Sequence, residues 1–129
     1  KLTVSNATNE LANEAGVQIK GNHDAGLANG LSPRELIEAA IALCTSITLE
    51  AVLKRDGVVY NADEVHVQVV ASKEEGIKNR FSHFQVDLTL PSGVDEEYKK
   101  KLLKVVERGG TISNTVANGA TVTLNAKNI

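Results

Sequence analysis

The stretch from Ser32 to Gly57, SPRELIEAAIALCTSITLEAVLKRDG, constrains this chain more than any other. Ser32 suits the cap of a helix, Pro33 its first position, and Glu35 can bond back to the cap as a capping box. Lys54 and Arg55 favour the negative end of the same helix, and Gly57 suits a left-handed stop. Between Pro33 and Gly57 lie about 22 residues without another Gly or Pro, on the order of 30 Å of helix. From Leu36 to Cys44 only Glu38 is charged, so this half is apolar nearly all round and should be buried on most sides. The helix reads as too polar overall, and its apolar run as too short, to span a membrane. Cys44, the only cysteine in the chain, falls near its centre.

A helix of this kind needs more cover than a small chain supplies. At 129 residues the chain is large enough for one core, so a single domain over residues 1–129 is expected. Trp is absent and Phe and Tyr number two each, leaving Val, Leu, Ile and Ala to build that core. The simplest further cover is a second copy of the chain, hence a homodimer. The net charge of −2 and the lack of a basic stripe give no reason to expect nucleic acid or a membrane surface as partner. One cysteine cannot make an internal disulfide, which points to a reducing compartment such as the cytoplasm. No signal peptide or transmembrane segment is read, and because the sequence opens without Met its start can be a trimmed one.

Around the helix, periodicity predicts an α+β plan with a sheet packed on it. Leu2-Thr3-Val4 and Val17 to Lys20 read as strands, with Asn6 to Gly16 between them as a loose connection or helical turn. Gly21 to Gly30, with three Gly and two Asn, reads as an irregular loop. Glu64 to Ser72 and Lys78 to Leu90 alternate as a hairpin about the turn Lys73 to Gly76. Centred there, Ser72 faces Ile77, Val65 faces Phe84 and His66 faces His83. Asp95 caps a second helix with an apolar stripe of Tyr98, Leu102, Val105 and Val106; Gly109-Gly110 ends it. Thr111 to Ala117 reads as a short helical turn, and Thr121 to Ala126 as a last strand.

For chemistry, Cys44 has two readings. A lone mid-helix cysteine is most simply a small core hydrophobe, because the dipole that activates thiols acts at helix N-termini. The other reading is a nucleophilic thiol assisted by a cation from elsewhere. His66 and His83 lack a third ligand, and His23-Asp24 sits in a loop, so no metal or cofactor is expected. Lys99 to Lys101 reads as a hydrated helix face.

Ser-Pro-X-Glu-Leu, then an Ala-rich helix with Cys-Thr-Ser-Ile-Thr-Leu, resembles the osmotically inducible protein C (OsmC) and organic hydroperoxide resistance (Ohr) family. Thr-Ile-Ser-Asn-Thr-Val before Asn-Gly is similar to that family's second signature. The resemblance covers about residues 15 to 126. It implies an intertwined α+β homodimer around two long helices, and a thiol peroxidase that reduces organic hydroperoxides without metal or haem. Cys44 matches the family's peroxidatic position. The resemblance also implies a second cysteine before the Ser-Asn motif, an Arg from the N-terminal loop and a Glu directly after the helix-start Pro.

This chain departs at all three of those positions. Gly110 replaces the second cysteine, Arg34 stands at the Glu position, and no Arg precedes Arg34. Two readings follow. In one, Cys44 reduces or senses hydroperoxides with an external thiol as reductant, and Arg34 assists across the dimer. In the other, the chain is a non-catalytic dimeric scaffold that binds a small apolar ligand.

Overall fold

The computed structural model describes residues Lys1–Ile129. In chain order it contains β1 (Leu2–Val4), β2 (Glu10–Asn13), β3 (Gln18–Lys20), α1 (Pro33–Arg55), β4 (His66–Ser72), β5 (His83–Thr89), α2 (Glu96–Gly109) and α3 (Thr111–Asn118). The α+β class is as predicted. The chain forms two compact units, one of residues 1–40 and 68–87, the other of residues 41–67 and 88–129.

In the first unit, β1, β2 and β3 form an antiparallel meander in which Val4 pairs with Leu11 and Leu11 with Ile19. The segment expected as a loose connection therefore contains a strand. Asn9 makes this possible by turning the chain at a φ of 56°, a left-handed conformation that Asn tolerates better than most residues. Gly21 follows β3 where a Cβ would stand 2.8 Å from Leu11 and 2.9 Å from the Asn9 carbonyl, so only glycine fits. The loop expected to be irregular is closed at its ends by a parallel bridge between Gly21 and Leu31, which delivers the chain to Ser32.

The capping box forms as predicted. The Glu35 N–H donates to Ser32 Oγ at 3.1 Å, and the Ser32 N–H donates to Glu35 Oε1 at 3.0 Å. Glu38, the lone charge in the apolar half of α1, accepts the Ala71 backbone N–H of β4 at 2.7 Å.

β4 and β5 form a two-stranded sheet with the predicted alternation, Phe84, Val86 and Leu88 being half-buried and His83, Gln85, Asp87 and Thr89 exposed. The predicted register is wrong. The Ser82 N–H donates to the Ser72 carbonyl at 2.9 Å, so His83 begins β5 at the Ser72 end of β4, whereas His66 begins β4. The connection is longer than a four-residue turn because its own side chains hold it. Lys73 Nζ donates to the Lys78 carbonyl at 2.9 Å and the Glu74 N–H to Ser82 Oγ at 2.8 Å.

The core of the second unit joins Leu49, Val52 and Leu53 of α1 to Leu102 and Val106 of α2. The predicted stripe on α2 is the one that packs, with Tyr98 and Val105 half-buried beside it. Asp95 caps α2, accepting the Tyr98 N–H at 2.8 Å. The double glycine ends α2 as predicted, without a left-handed residue. Gly110 has φ −79°, and α3 starts at once as a full helix. Gly109 lies against α1, where a Cβ would stand 3.0 Å from Thr48 Cγ2.

Two further expectations are corrected. Residues 119–129 form no strand, and Val122 and Leu124 are 84% and 91% exposed. They lack the neighbouring strand that alternation alone cannot supply. By length and composition α1 is apolar enough to cross a bilayer, contrary to the expectation of it as too polar, because its Ile, Leu, Val and Ala outweigh Glu38 and Glu50 within its apolar stretch. Only 28% of its most apolar stretch is buried within the chain.

Candidate functional site

Cys44 lies at the midpoint of α1, where the inward positions Ile41, Thr45 and Leu49 recur at four-residue spacing and are buried. Leu43 and Ile47, on the other side of the helix, are 64% and 59% exposed. Cys44 falls between the two sets as a half-buried free thiol. One turn further on, Thr48 Oγ1 donates to the Cys44 carbonyl at 3.0 Å, and its methyl group faces Gly109. Thr48, one turn from Cys44, thus lies beside the junction of α2 and α3. Gly110 sits at that junction, buried, and a Cβ there would meet only ordinary contacts, the nearest being Ser113 at 3.6 Å.

Arg34 occupies the first turn of α1. Its Nε is 3.9 Å from Glu38 Oε2, on the carboxylate that anchors Ala71. Ten residues of continuous helix separate Arg34 from Cys44, a rise of about 15 Å, so the two are not brought together within one chain. Glu35 is occupied by its cap. The Ser32 backbone N–H and hydroxyl, with the Gly26 N–H and the Arg34 charge, hold its carboxyl below the usual range. It remains an ionised cap.

The N-terminal loop contributes His23 rather than an arginine. With Ser32, Pro33, Arg34, Lys73 and Phe81 it lines an open cavity of about 350 Å³ in the first unit. Lys73 Nζ stands 5.2 Å from the Phe81 ring centroid, a cation–π distance. No group of three His, Cys, Asp or Glu side chains converges in metal-binding geometry.

Sequence reasoning missed two polar contacts, Glu38 to Ala71 and Tyr98 to Asp56. The signal for the first was present, a single charge inside an apolar helical run. The Tyr98 hydroxyl donates to Asp56 Oδ2 at 2.7 Å across 42 residues of sequence, a pairing that local pattern does not carry.

Comparison with known proteins bears on the fold and the family. The organic hydroperoxide resistance protein OsmC of Legionella pneumophila superposes with a TM-score of 0.64 at 15% identity, covering 90% of this chain and 85% of that one. OhrB of Bacillus subtilis gives 0.59 at 22% identity, with 90% and 88% covered. The organic hydroperoxide resistance protein of Elizabethkingia anophelis, a structure with thiocyanate bound, gives 0.66 at 20% identity, with 89% and 85% covered. At these identities the likeness shows the fold alone. No curated protein matches the sequence. The family described as OsmC-like protein matches residues 23–125, most of the chain and both of its signature segments, and the chain belongs to that family.

Proposed function

We propose that the chain is a homodimeric, cytoplasmic thiol protein of the hydroperoxide response that reduces or senses organic hydroperoxides through Cys44. The observation that carries this is the placement of Cys44. It is a half-buried thiol at the edge of an uncovered apolar face, on the helix that opens with the family's Ser-Pro-X-Glu-Leu motif. In the reaction the Cys44 thiolate attacks the terminal oxygen of the hydroperoxide. The O–O bond breaks, the alkoxide takes a proton and leaves as the alcohol, and Cys44 is left as a sulfenic acid. An external thiol condenses with the sulfenic acid, releasing water and forming a mixed disulfide. A second external thiol then frees Cys44 and leaves as the disulfide of the reductant.

A second copy of the chain supplies the cover that Leu43, Ile47, Val122 and Leu124 lack in the protomer. A bilayer is a poorer match, because Glu38 of α1 is bonded to β4 and Leu49 and Leu53 are packed against α2. If the two α1 helices run antiparallel, the partner's Arg34 approaches Cys44 and stabilises the thiolate. The test is exposure of the protein to cumene hydroperoxide, with intact mass read before and after. A gain of one oxygen on wild type, absent in Cys44→Ser, supports the reading. If Cys44 remains a free thiol where a small-molecule thiol is oxidised, the chain is a non-catalytic scaffold. The apolar face beside Cys44, with Arg34 and Gly110 at two of the family's catalytic positions, then serves to bind a small apolar ligand.

A further inference from the structure

The last turns of α1 and one face of α2 frame an open cavity of about 540 Å³ in the second unit. Val52, Leu102 and Val105 form its apolar floor, and Leu102 is only 1% exposed. Arg55, Lys101, Lys104 and Arg108 stand around it, with Asp56 and Tyr98 at one end. Lys101, Lys104 and Arg108 recur at spacings of three and four residues, so they project from one side of α2. The volume and the mix of apolar floor with a few charged groups fall within the range of small-molecule sites, roughly 300–1,000 Å³.

The charges here are not balanced internally. Asp56 is the only acid lining the cavity, and both its oxygens are engaged, one by Arg55 Nε at 3.3 Å and one by the Tyr98 hydroxyl at 2.7 Å. Elsewhere on the same helices Lys54 pairs with Glu50 at 2.6 Å and Lys99 with Glu96 at 2.8 Å, while Lys100, outside the cavity, has no ion pair. Lys101, Lys104 and Arg108 have no such partner, although Glu97 stands four residues before Lys101 where a helical pair is available. Lys104 and Arg108 are themselves like charges four residues apart, an arrangement that disfavours the helix. The negative end of α2 accounts for Arg108, but its effect fades within the last turn and does not reach Lys101. In a chain of net charge −2, three unpaired cations are thus gathered over an apolar floor.

We propose that this groove binds a single amphiphilic organic anion, a phosphate or carboxylate head on a hydrocarbon body. The head lies among Lys101, Lys104 and Arg108, where the Arg108 guanidinium offers a two-pronged donor to an oxyanion. The hydrocarbon body covers Val52, Leu102 and Val105. A concave site takes one molecule at a time, which favours a free amphiphile over a lipid surface. The proposal does not depend on Cys44 or on hydroperoxide chemistry.

The test is calorimetric titration of the full chain with dodecyl phosphate below its critical micelle concentration, with dodecanoate, dodecanol and inorganic phosphate as further arms. Dodecyl phosphate and dodecanoate should each bind at one per protomer. Dodecanol and inorganic phosphate should bind at least tenfold more weakly. The double variant Lys101→Gln/Lys104→Gln, changed only at exposed positions, should lose at least tenfold in affinity for both anions, and Cys44→Ser should lose none. Dodecanol binding as well as dodecyl phosphate, or the double variant binding as well as wild type, would overturn the proposal. So would co-sedimentation with phosphatidylglycerol vesicles in the absence of any binding of the single amphiphiles.

Discussion

Glu38 and Ala71 are joined by a 2.7 Å hydrogen bond from the Ala71 backbone N–H to the Glu38 carboxylate, tying α1 to β4 in the first unit. Ala71 is the buried residue of β4, and the Glu38 side chain is only 14% exposed. Removing the acceptor leaves a buried N–H without a partner. Glu38→Leu should therefore destabilise the fold by about 1–3 kcal/mol, even though it makes the helix more apolar. Glu38→Gln keeps an acceptor oxygen in reach and should recover most of that loss. Urea midpoints of the two variants check this. A stable Leu variant would mean that the bond contributes little.

The Tyr98–Asp56 pair predicts stability changes at both ends of the pH scale. The Tyr98 hydroxyl, and then Arg55, hold the Asp56 carboxyl below its ordinary value of 3.8. The unfolded chain thus takes up this proton first as pH falls. The Asp56 contribution is full above about pH 4 and is lost as pH drops through the folded value. Burial first, and then the Asp56 charge, push the Tyr98 hydroxyl up to about 12. From about pH 10 to pH 12 the unfolded chain gives up a proton that the folded chain keeps, so stability declines across that window. Tyr98→Phe should flatten both arms. Denaturation midpoints of wild type and variant, measured from pH 2 to pH 12, give the comparison.

Local signals carried much of this structure. The capping box at Ser32 and Glu35, the Asp95 cap and the stripe through Leu102 and Val106 all rest on residues within a turn of one another. Helix periodicity makes those visible. Errors arose where a distant residue decides the outcome. The β4–β5 register depends on side-chain bonds inside the connection, and β2 depends on one left-handed Asn9. The role of Gly109 depends on Thr48, which is remote in sequence and adjacent in space. At the candidate site, the position of Cys44 on the helix was legible. Its half-buried setting between Ile41 and the exposed Leu43 and Ile47 was not, because it depends on how much of α1 the rest of the chain covers.

The uncovered face of α1 predicts its own occupant. Leu43 and Ile47 stand one turn apart and are both largely exposed in the single chain. Replacing the pair by Asp should leave the core of Leu49, Leu53 and Leu102 intact while removing the apolar contact proposed between copies. Sedimentation at micromolar concentration should show a dimer for wild type and a folded monomer for the double variant. A wild-type monomer would contradict the dimer. In the proposed dimer, Arg34→Ala should slow alkylation of Cys44 by a thiol reagent if the partner's Arg34 stabilises the thiolate.

The two glycines at the α2–α3 junction should respond oppositely to substitution. A Cβ at Gly109 would press on Thr48 Cγ2 at 3.0 Å, closer than an ordinary contact, so Gly109→Ala should cost about 1–3 kcal/mol by overpacking. Gly110 has room, with Ser113 at 3.6 Å and φ −79°, a value any residue adopts. Gly110→Cys should therefore fold as well as wild type. It would place a second thiol one residue after the Gly109 contact with Thr48, which is itself one helical turn from Cys44. Without that thiol, a sulfenic acid on Cys44 has no internal partner. It should persist, be trapped by an added small thiol, or oxidise further to the sulfinic acid. Turnover in wild type should then rise with thiol concentration without the plateau of a disulfide-forming enzyme. In Gly110→Cys, attack of the new thiol on the Cys44 sulfenic acid expels water and closes a disulfide. Intact mass after limited hydroperoxide treatment separates the two outcomes, with wild type heavier by oxygen and the variant lighter by two hydrogens. A variant that gains oxygen as wild type does would place Gly110 out of reach of Cys44. Its oxidation would then have to be resolved by a thiol from another molecule.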